Sequence, residues 1–229
     1  MRGNGASEPA ADVRSLYPFL YADRSNVDAV IEQVRRSTVD KAREIIELRA
    51  RVLDRDGTRL LDCAAAMAGR FAAGGRLLAF GNGGSSTDAQ DLVSLFLNPA
   101  GGFRPLPAFG LTSDIAVITA LCNDIGFEVV FARQVAAFGR AGDIAVGLST
   151  SGNSANLLRA FDEAGRRGLL TVGIAGYDGG KMAELDCIDH LFVVPSPSVH
   201  RVQEAQATLY HALWELTLDA LDREEISHD

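Results

Sequence analysis

Cysteine is scarce and scattered: Cys63, Cys122 and Cys187 stand far apart, and no CxxC pair occurs. That pattern reads as buried free thiols in a reducing compartment rather than a disulfide framework. No apolar run reaches the roughly 18–20 residues of a membrane span, so no membrane partner is expected. The first residues lack the apolar core of a signal peptide, and a cytoplasmic protein is the expectation. Positive charge is in deficit, with 22 Lys and Arg against 30 Asp and Glu and a net charge of −8. That balance argues against nucleic-acid binding, which needs basic surface. It does not exclude a phosphorylated small molecule, because local donors outweigh a distant field. A GxxxxGK[ST] nucleotide loop is also missing. Gly81-x-Gly83 opens like a dinucleotide fingerprint, but Ser86 takes the third glycine's place. No nucleotide cofactor is expected.

The 229 residues, 47% of them apolar, suffice for one large core. Met1–Asp12 is rich in small residues, and an aromatic arm follows at residues 16–21 with Pro18 inside it, so residues 1–24 read as tail and arm. Residues 25–75 read as two helices. The first is capped by Ser25 or Asn26 and carries Val27, Val30, Ile31 and Val34 at helical spacing. Asp56-Gly57 is expected to break it, and the second helix runs from Thr58 to Phe71. Two such apolar stripes must be buried against a sheet or in a bundle of subunits.

From Arg76 strands and helices alternate. Strands are predicted at 76–80, 106–111, 143–148, 169–174 and 190–194. Helices are predicted at 85–97, 113–121, 126–137, 154–167, 180–185 and 198–222, with a tail at 223–229. Short apolar runs between helices imply parallel strands covered on both faces, hence a three-layer, doubly wound α/β sheet of about five strands over residues 76–222.

Two loops stand out. Gly81-Asn82-Gly83-Gly84-Ser85-Ser86-Thr87-Asp88 follows the first strand, and Ser149-Thr150-Ser151-Gly152-Asn153-Ser154 follows the third. Each is a strand, a Gly/Ser turn and a helix start, an arrangement that aims backbone N–H groups and a helix dipole at one anion. The second adds the hydroxyls of Ser149, Thr150, Ser151 and Ser154 and no fixed positive charge. It reads as a phosphate cradle of neutral donors.

GNGGS and STSGNS together resemble the sugar isomerase (SIS) domain family over roughly residues 40–222. Residues 122–127, 177–182 and 201–204 narrow the resemblance to its phosphoheptose isomerase branch. The resemblance implies a flavodoxin-like sheet, a homotetramer with sites between subunits, and a sedoheptulose 7-phosphate isomerase. It assigns the phosphate to Ser149, Thr150, Ser151 and Ser154, and the sugar to Asn82, Gly83, Gly84, Ser85, Asn123, Asp124 and Gln203.

The chemistry is where this chain departs. The family carries a His and a Glu four residues apart on the helix after GNGGS, and a Gln and a His on the last long helix. These four bind zinc in many members, with the Glu and the second His as base and acid. Gln203 and His211 match, but Asp91 stands for the first His and Leu95 for the Glu. Leucine neither accepts a proton nor ligates a metal. Three readings follow. Asp91, one turn before Leu95 and about 40° from its face, replaces the base beside His211 and Gln203, or completes with them a weakened zinc site. Alternatively, the chain is a non-catalytic SIS module that senses a phosphosugar or docks on a partner. In the third, Glu204 or Asp124 serves as base on another phosphosugar. His190 and His200 read as surface or loop residues, and Asp186 and Asp189 as loop carboxylates.

Overall fold

The computed structural model describes residues 27–228, with side chains from Asp28 to Arg223. The aromatic arm and the capping residues Ser25 and Asn26 lie outside that range. The chain divides into two units, 1–43 and 44–229, a division that falls inside the first described helix.

That helix, α1, runs without a break from Val27 to Ala72. In the first unit it is solvated. Arg35 and Arg36 pair with Glu32 at 3.1 and 3.4 Å, and Val30, Ile31, Val34 and Val39 are exposed. The break expected at Asp56-Gly57 does not occur. Asp56 points inward with a fully buried side chain, held by Arg55 at 2.5 Å and Arg59 at 2.8 Å. The two guanidinium groups also donate to the carbonyls of Val193 and Leu191. This network repays the helix cost of one glycine, about 1 kcal/mol, and fastens α1 to the last strand.

Five parallel strands follow: β1 (Leu77–Gly81), β2 (Ala108–Gly110), β3 (Ile144–Ser149), β4 (Leu170–Gly176) and β5 (His190–Val194), in the order β2-β1-β3-β4-β5. Between them lie α2 (Gly84–Leu97), α3 (Ile115–Asp124), α4 (Val130–Phe138) and α5 (Ala155–Arg166); α6 (Val199–His228) ends the described chain. Four corrections arise here. The helix expected at 126–137 opens as a 3-10 turn, Phe127–Val129, and the one at 180–185 is a 3-10 turn, Gly180–Glu184. The tail expected from 223 is a continuation of α6 to His228. His190, read as a loop residue, opens β5 and is half-buried.

Strand residues alternate between two apolar layers, as a period of two requires. Leu77 and Ala79 of β1, with Ile144, Val146 and Leu148 of β3, face the cluster formed with α1, α2 and α6. Leu78 and Phe80 face the other, with Phe131 of α4 and Phe161 of α5. This is the doubly wound sandwich read from the sequence. Its strand order reverses direction between β1 and β3, where a ligand crevice opens at the carboxyl ends. Among the described residues no helix is long and apolar enough to cross a membrane.

At the opposite edge Asp143 joins the starts of β1 and β3. It accepts from the Arg76 and Arg140 amides at 2.9 and 3.0 Å and from Arg76 Nη2 at 2.7 Å. Burial disfavours its charge, but the Arg76 guanidinium and the two amides outweigh that and hold its carboxyl below the ordinary 3.8. Its stabilisation is therefore complete above pH 3.8 and is lost as pH falls through the lower folded value. Melting temperature followed against pH is expected to drop in that window. In Asp143→Asn the drop becomes shallower and the melting temperature at neutral pH is lower throughout.

Candidate active site

The two Gly/Ser loops leave adjacent strands. Gly81 pairs with Leu148 at the carboxyl ends of β1 and β3, so sheet register alone brings the loops side by side. A reciprocal amide pair joins them: Asn82 Nδ2 donates to Asn156 Oδ1 at 2.9 Å, and Asn156 Nδ2 donates to Asn82 Oδ1 at 2.8 Å. Asn156 escaped the sequence reading. Lying two residues past Ser154 in an amphipathic helix, it is 2% exposed and spends its amide on the other loop.

In the second loop Ser149 Oγ accepts from the Gly152 amide at 3.1 Å, and Ser151 Oγ accepts from the Asn153 amide at 3.2 Å. Ser154 is the N-cap of α5, yet its side chain makes no capping bond. Its hydroxyl lies 3.4 Å from that of Ser149, which leaves it free to turn toward an anion at the helix start. The loop rests on the turn at Gly179-Gly180. Met182 N donates to Gly152 O at 2.9 Å, and Lys181 N to Asn153 Oδ1 at 3.0 Å. The close approach explains Gly180 physically: a Cβ there would meet Ser151 O at 2.4 Å. Tyr177, which precedes the turn, is held at φ 54°, an uncommon conformation for a bulky residue. A cleft of about 690 Å³ opens there, lined by Ser151, Asn153, Tyr177, Asp178 and Pro195–Pro197. It is bounded by Ser151 and Asn153 of the second loop, while Asp91 and His211 lie on α2 and α6.

Those groups form a second cluster. Asp91 Oδ2 accepts from the Tyr210 hydroxyl at 2.8 Å and lies 3.3 Å from His211 Nε2. The Asp91 and His211 side chains are about half exposed, 51% and 45%. The His211 ring stacks on Tyr210 with centroids 5.1 Å apart and meets Trp214 edge-on at 6.4 Å. Gln203 packs against the first loop so closely that a Cβ on Gly84 would come within 2.1 Å of its Nε2. Asp88, one turn before Asp91, faces the same space. Burial pushes its carboxyl up, the Gln203 amide holds it down, and the Asp91 charge adds to the rise. The spacing of Asp88 and Asp91 by three on one helix was a signal available in the sequence.

Gln206 sets the height of α6. Its buried amide donates to the carbonyls of Ser149, the last residue of β3, and Ile174, two residues before the end of β4, both at 3.2 Å. Gln203, Gln206 and Tyr210 thus occupy one helical face, spaced three and four apart.

Asn123 and Asp124 end α3, exposed, with Asn123 donating to its neighbour at 2.8 Å. Among the described residues no hydrogen bond ties this pair to either loop. Leu95 is half-buried and packs into the apolar cluster of α1 and α6. Among the described residues no three His, Cys, Asp or Glu side chains are placed to hold one metal ion. The donors Asp91, Gln203 and His211 do not fit zinc well. Leu95 offers no ligand, and the Asp91 oxygen nearest His211 already accepts from Tyr210.

The comparisons with known proteins agree with this geometry. The SIS domain family matches residues 42–176. The phosphoheptose isomerase of Desulfovibrio desulfuricans is 47% identical over 178 residues, covering 77% of this chain and 83% of that one. The Aquifex aeolicus phosphoheptose isomerase is 41% identical over 178 residues, 76% of this chain and 91% of that one. The solved phosphoheptose isomerase of Neisseria gonorrhoeae superposes with a TM-score of 0.71 at 36% identity, over 82% of this chain and 99% of that one. The chain belongs to the SIS domain family, among the phosphoheptose isomerases.

Proposed function

We propose that the chain is an aldose–ketose isomerase that converts sedoheptulose 7-phosphate to an aldoheptose 7-phosphate. The observation that carries this is the joining of the two Gly/Ser loops at the β1/β3 crevice, with the Asp91–His211 pair on the helix that leaves the first loop and on α6. Ser149, Thr150, Ser151 and Ser154 and the start of α5 hold the phosphate. Asn82, Gly83, Gly84, Ser85 and Gln203 line the sugar, with Asn123 and Asp124 entering from α3 or from a second subunit. A proton leaves C1 of the ketose, an enediolate forms, and a proton is delivered to C2, while the O1 proton passes to O2. His211 moves the carbon-bound proton and Asp91 bears the complementary charge. No step runs through a metal, because the donor set left by Leu95 does not suit one. The family membership favours turnover over a purely sensory module.

The reading extends to a cytoplasmic homotetramer, as the resemblance implies. Ile46, Leu53 and Leu61 on α1 are more than half exposed, apolar surface that a subunit interface would cover.

Purified protein is expected to convert sedoheptulose 7-phosphate, and treatment with EDTA is expected to change the rate by less than about twofold. Tight binding of the sugar phosphate without conversion would overturn the isomerase reading. Loss of activity on chelation, restored by zinc, would overturn its metal independence.

A further inference from the structure

Tyr210 sits on the buried face of α6 at 3% exposure. A buried phenol needs a hydrogen-bond partner, and that requirement alone would make it a structural residue. Two observations go further. The atom its hydroxyl contacts, Asp91 Oδ2, is the same oxygen that lies 3.3 Å from His211 Nε2. Its ring is also stacked under the His211 imidazole at 5.1 Å and 29°. One side chain therefore restrains both members of the acid–base pair, each of which is half exposed and would otherwise sample several rotamers.

We infer that Tyr210 is a positioning residue, fixing the Asp91 carboxylate by its hydroxyl and the His211 ring by its face. The hydroxyl acts as a donor throughout. Burial, then the hydrogen bond and charge of Asp91, push the phenol well above its ordinary 10.0. With its proton spent on Oδ2, the phenol turns that oxygen toward Nε2. A neutral His211 then carries its proton on Nε2, facing Asp91, and keeps Nδ1 as the basic nitrogen. A carboxylate that sets the tautomer of a catalytic imidazole acts through orientation, and losing it costs rate rather than binding. Leu95 leaves this chain without a carboxylate one turn further on, so the pair held by Tyr210 carries the proton transfer.

The inference rests on the isomerase reading only for its kinetic arm. Tyr210→Phe keeps the ring stack and removes the hydroxyl. Protein labelled with 15N-histidine, with His211 assigned by comparison with His211→Gln, reports the tautomer directly. The wild-type ring is expected as one Nε2–H tautomer, and the Phe variant as a mixture of the two. In turnover kcat falls about 10–100-fold with KM within about twofold, and the melting temperature shifts by only a few degrees, as one hydrogen bond warrants. An unchanged tautomer in the Phe variant, with or without a kinetic defect, would overturn the inference. A tautomer shift in a protein that never turns over sugar would uphold it and overturn the isomerase reading instead. Should Tyr210→Phe fail to fold, Asp91→Asn removes the acceptor's charge at a half-exposed position. Mixed tautomers there support the inference, and an undisturbed ring overturns it.

Discussion

Replacing His211 by Gln is expected to lower kcat for sedoheptulose 7-phosphate by about 10²–10⁴-fold, the usual worth of a positioned acid–base group. The side chain is 45% exposed and packs edge-on against Trp214, so the fold should tolerate the change. The loop proposed to hold the phosphate joins β3 to α5, and its hydrogen bonds involve neither His211 nor Asp91. Affinity for the sugar phosphate is therefore expected to stay within about threefold, a split between rate and binding that marks a group acting on the transition state. The measurement is steady-state kinetics beside calorimetric titration with the substrate. A fall of less than about threefold in kcat would move the proton transfer to another group. Asp88 is the first alternative, since burial raises its carboxyl and it faces the same space. The comparison variant Leu95→Glu restores the family's carboxylate, but at a half-buried position against an apolar cluster. Any gain in rate there comes with a loss in stability.

The fold was legible because the strands are covered on both faces. Parallel strands of that kind read as short apolar runs, and Leu77–Gly81 and Ile144–Ser149 do so without ambiguity. The two loops were legible as strand-to-helix turns because glycine and serine cluster where β1 and β3 end and a helix starts. Partners distant in sequence were not legible. Asp56 looked like a helix breaker because Leu191 and Val193, whose carbonyls receive its two arginines, lie 132 and 138 residues from Arg59 and Arg55. Asn156 was hidden for the same reason, since its partner is 74 positions away.

The cluster of Asp91, Tyr210 and His211 was half legible. His211 and Asp91 stood out only through the family resemblance, His211 matching the His of the last long helix and Asp91 standing where the family has a His after GNGGS. Tyr210 did not stand out, because an aromatic on the buried face of a helix is ordinary core. Only the meeting of α2 with α6 shows that its hydroxyl reaches Asp91. Gln206 was concealed likewise. A glutamine three residues after Gln203 has no sequence signature for two carbonyls on adjacent strands.

Gly152→Ala is expected to disable the phosphate loop. Gly152 has φ +66°, and a Cβ there would meet Gly179 O at 1.9 Å and Gly179 C at 2.6 Å. Both are backbone atoms, so no side chain can swing aside. The loop or the Gly179-Gly180 turn must move, with loss of the bonds from Met182 N to Gly152 O and from Lys181 N to Asn153 Oδ1. The left-handed conformation costs about 1–2 kcal/mol in alanine, and two hydrogen bonds add about 1–3 kcal/mol. For a chain of this size that is a fall of roughly 5–15 °C in melting temperature. Function is expected to suffer as well, because Ser149 Oγ is placed by the Gly152 amide, and a displaced loop would lose several of the proposed phosphate donors at once. KM for sedoheptulose 7-phosphate is expected to rise about 100-fold, near 2.7 kcal/mol of binding. Gly74→Ala supplies the control. Gly74 has φ +84° and nothing within 4 Å of its would-be Cβ, so it carries the conformational cost without the collision. It is expected to lower the melting temperature by a few degrees and leave KM unchanged. Equal kinetic damage in the two variants would mean that strain alone, and not the seating of the loop on its turn, sets phosphate affinity.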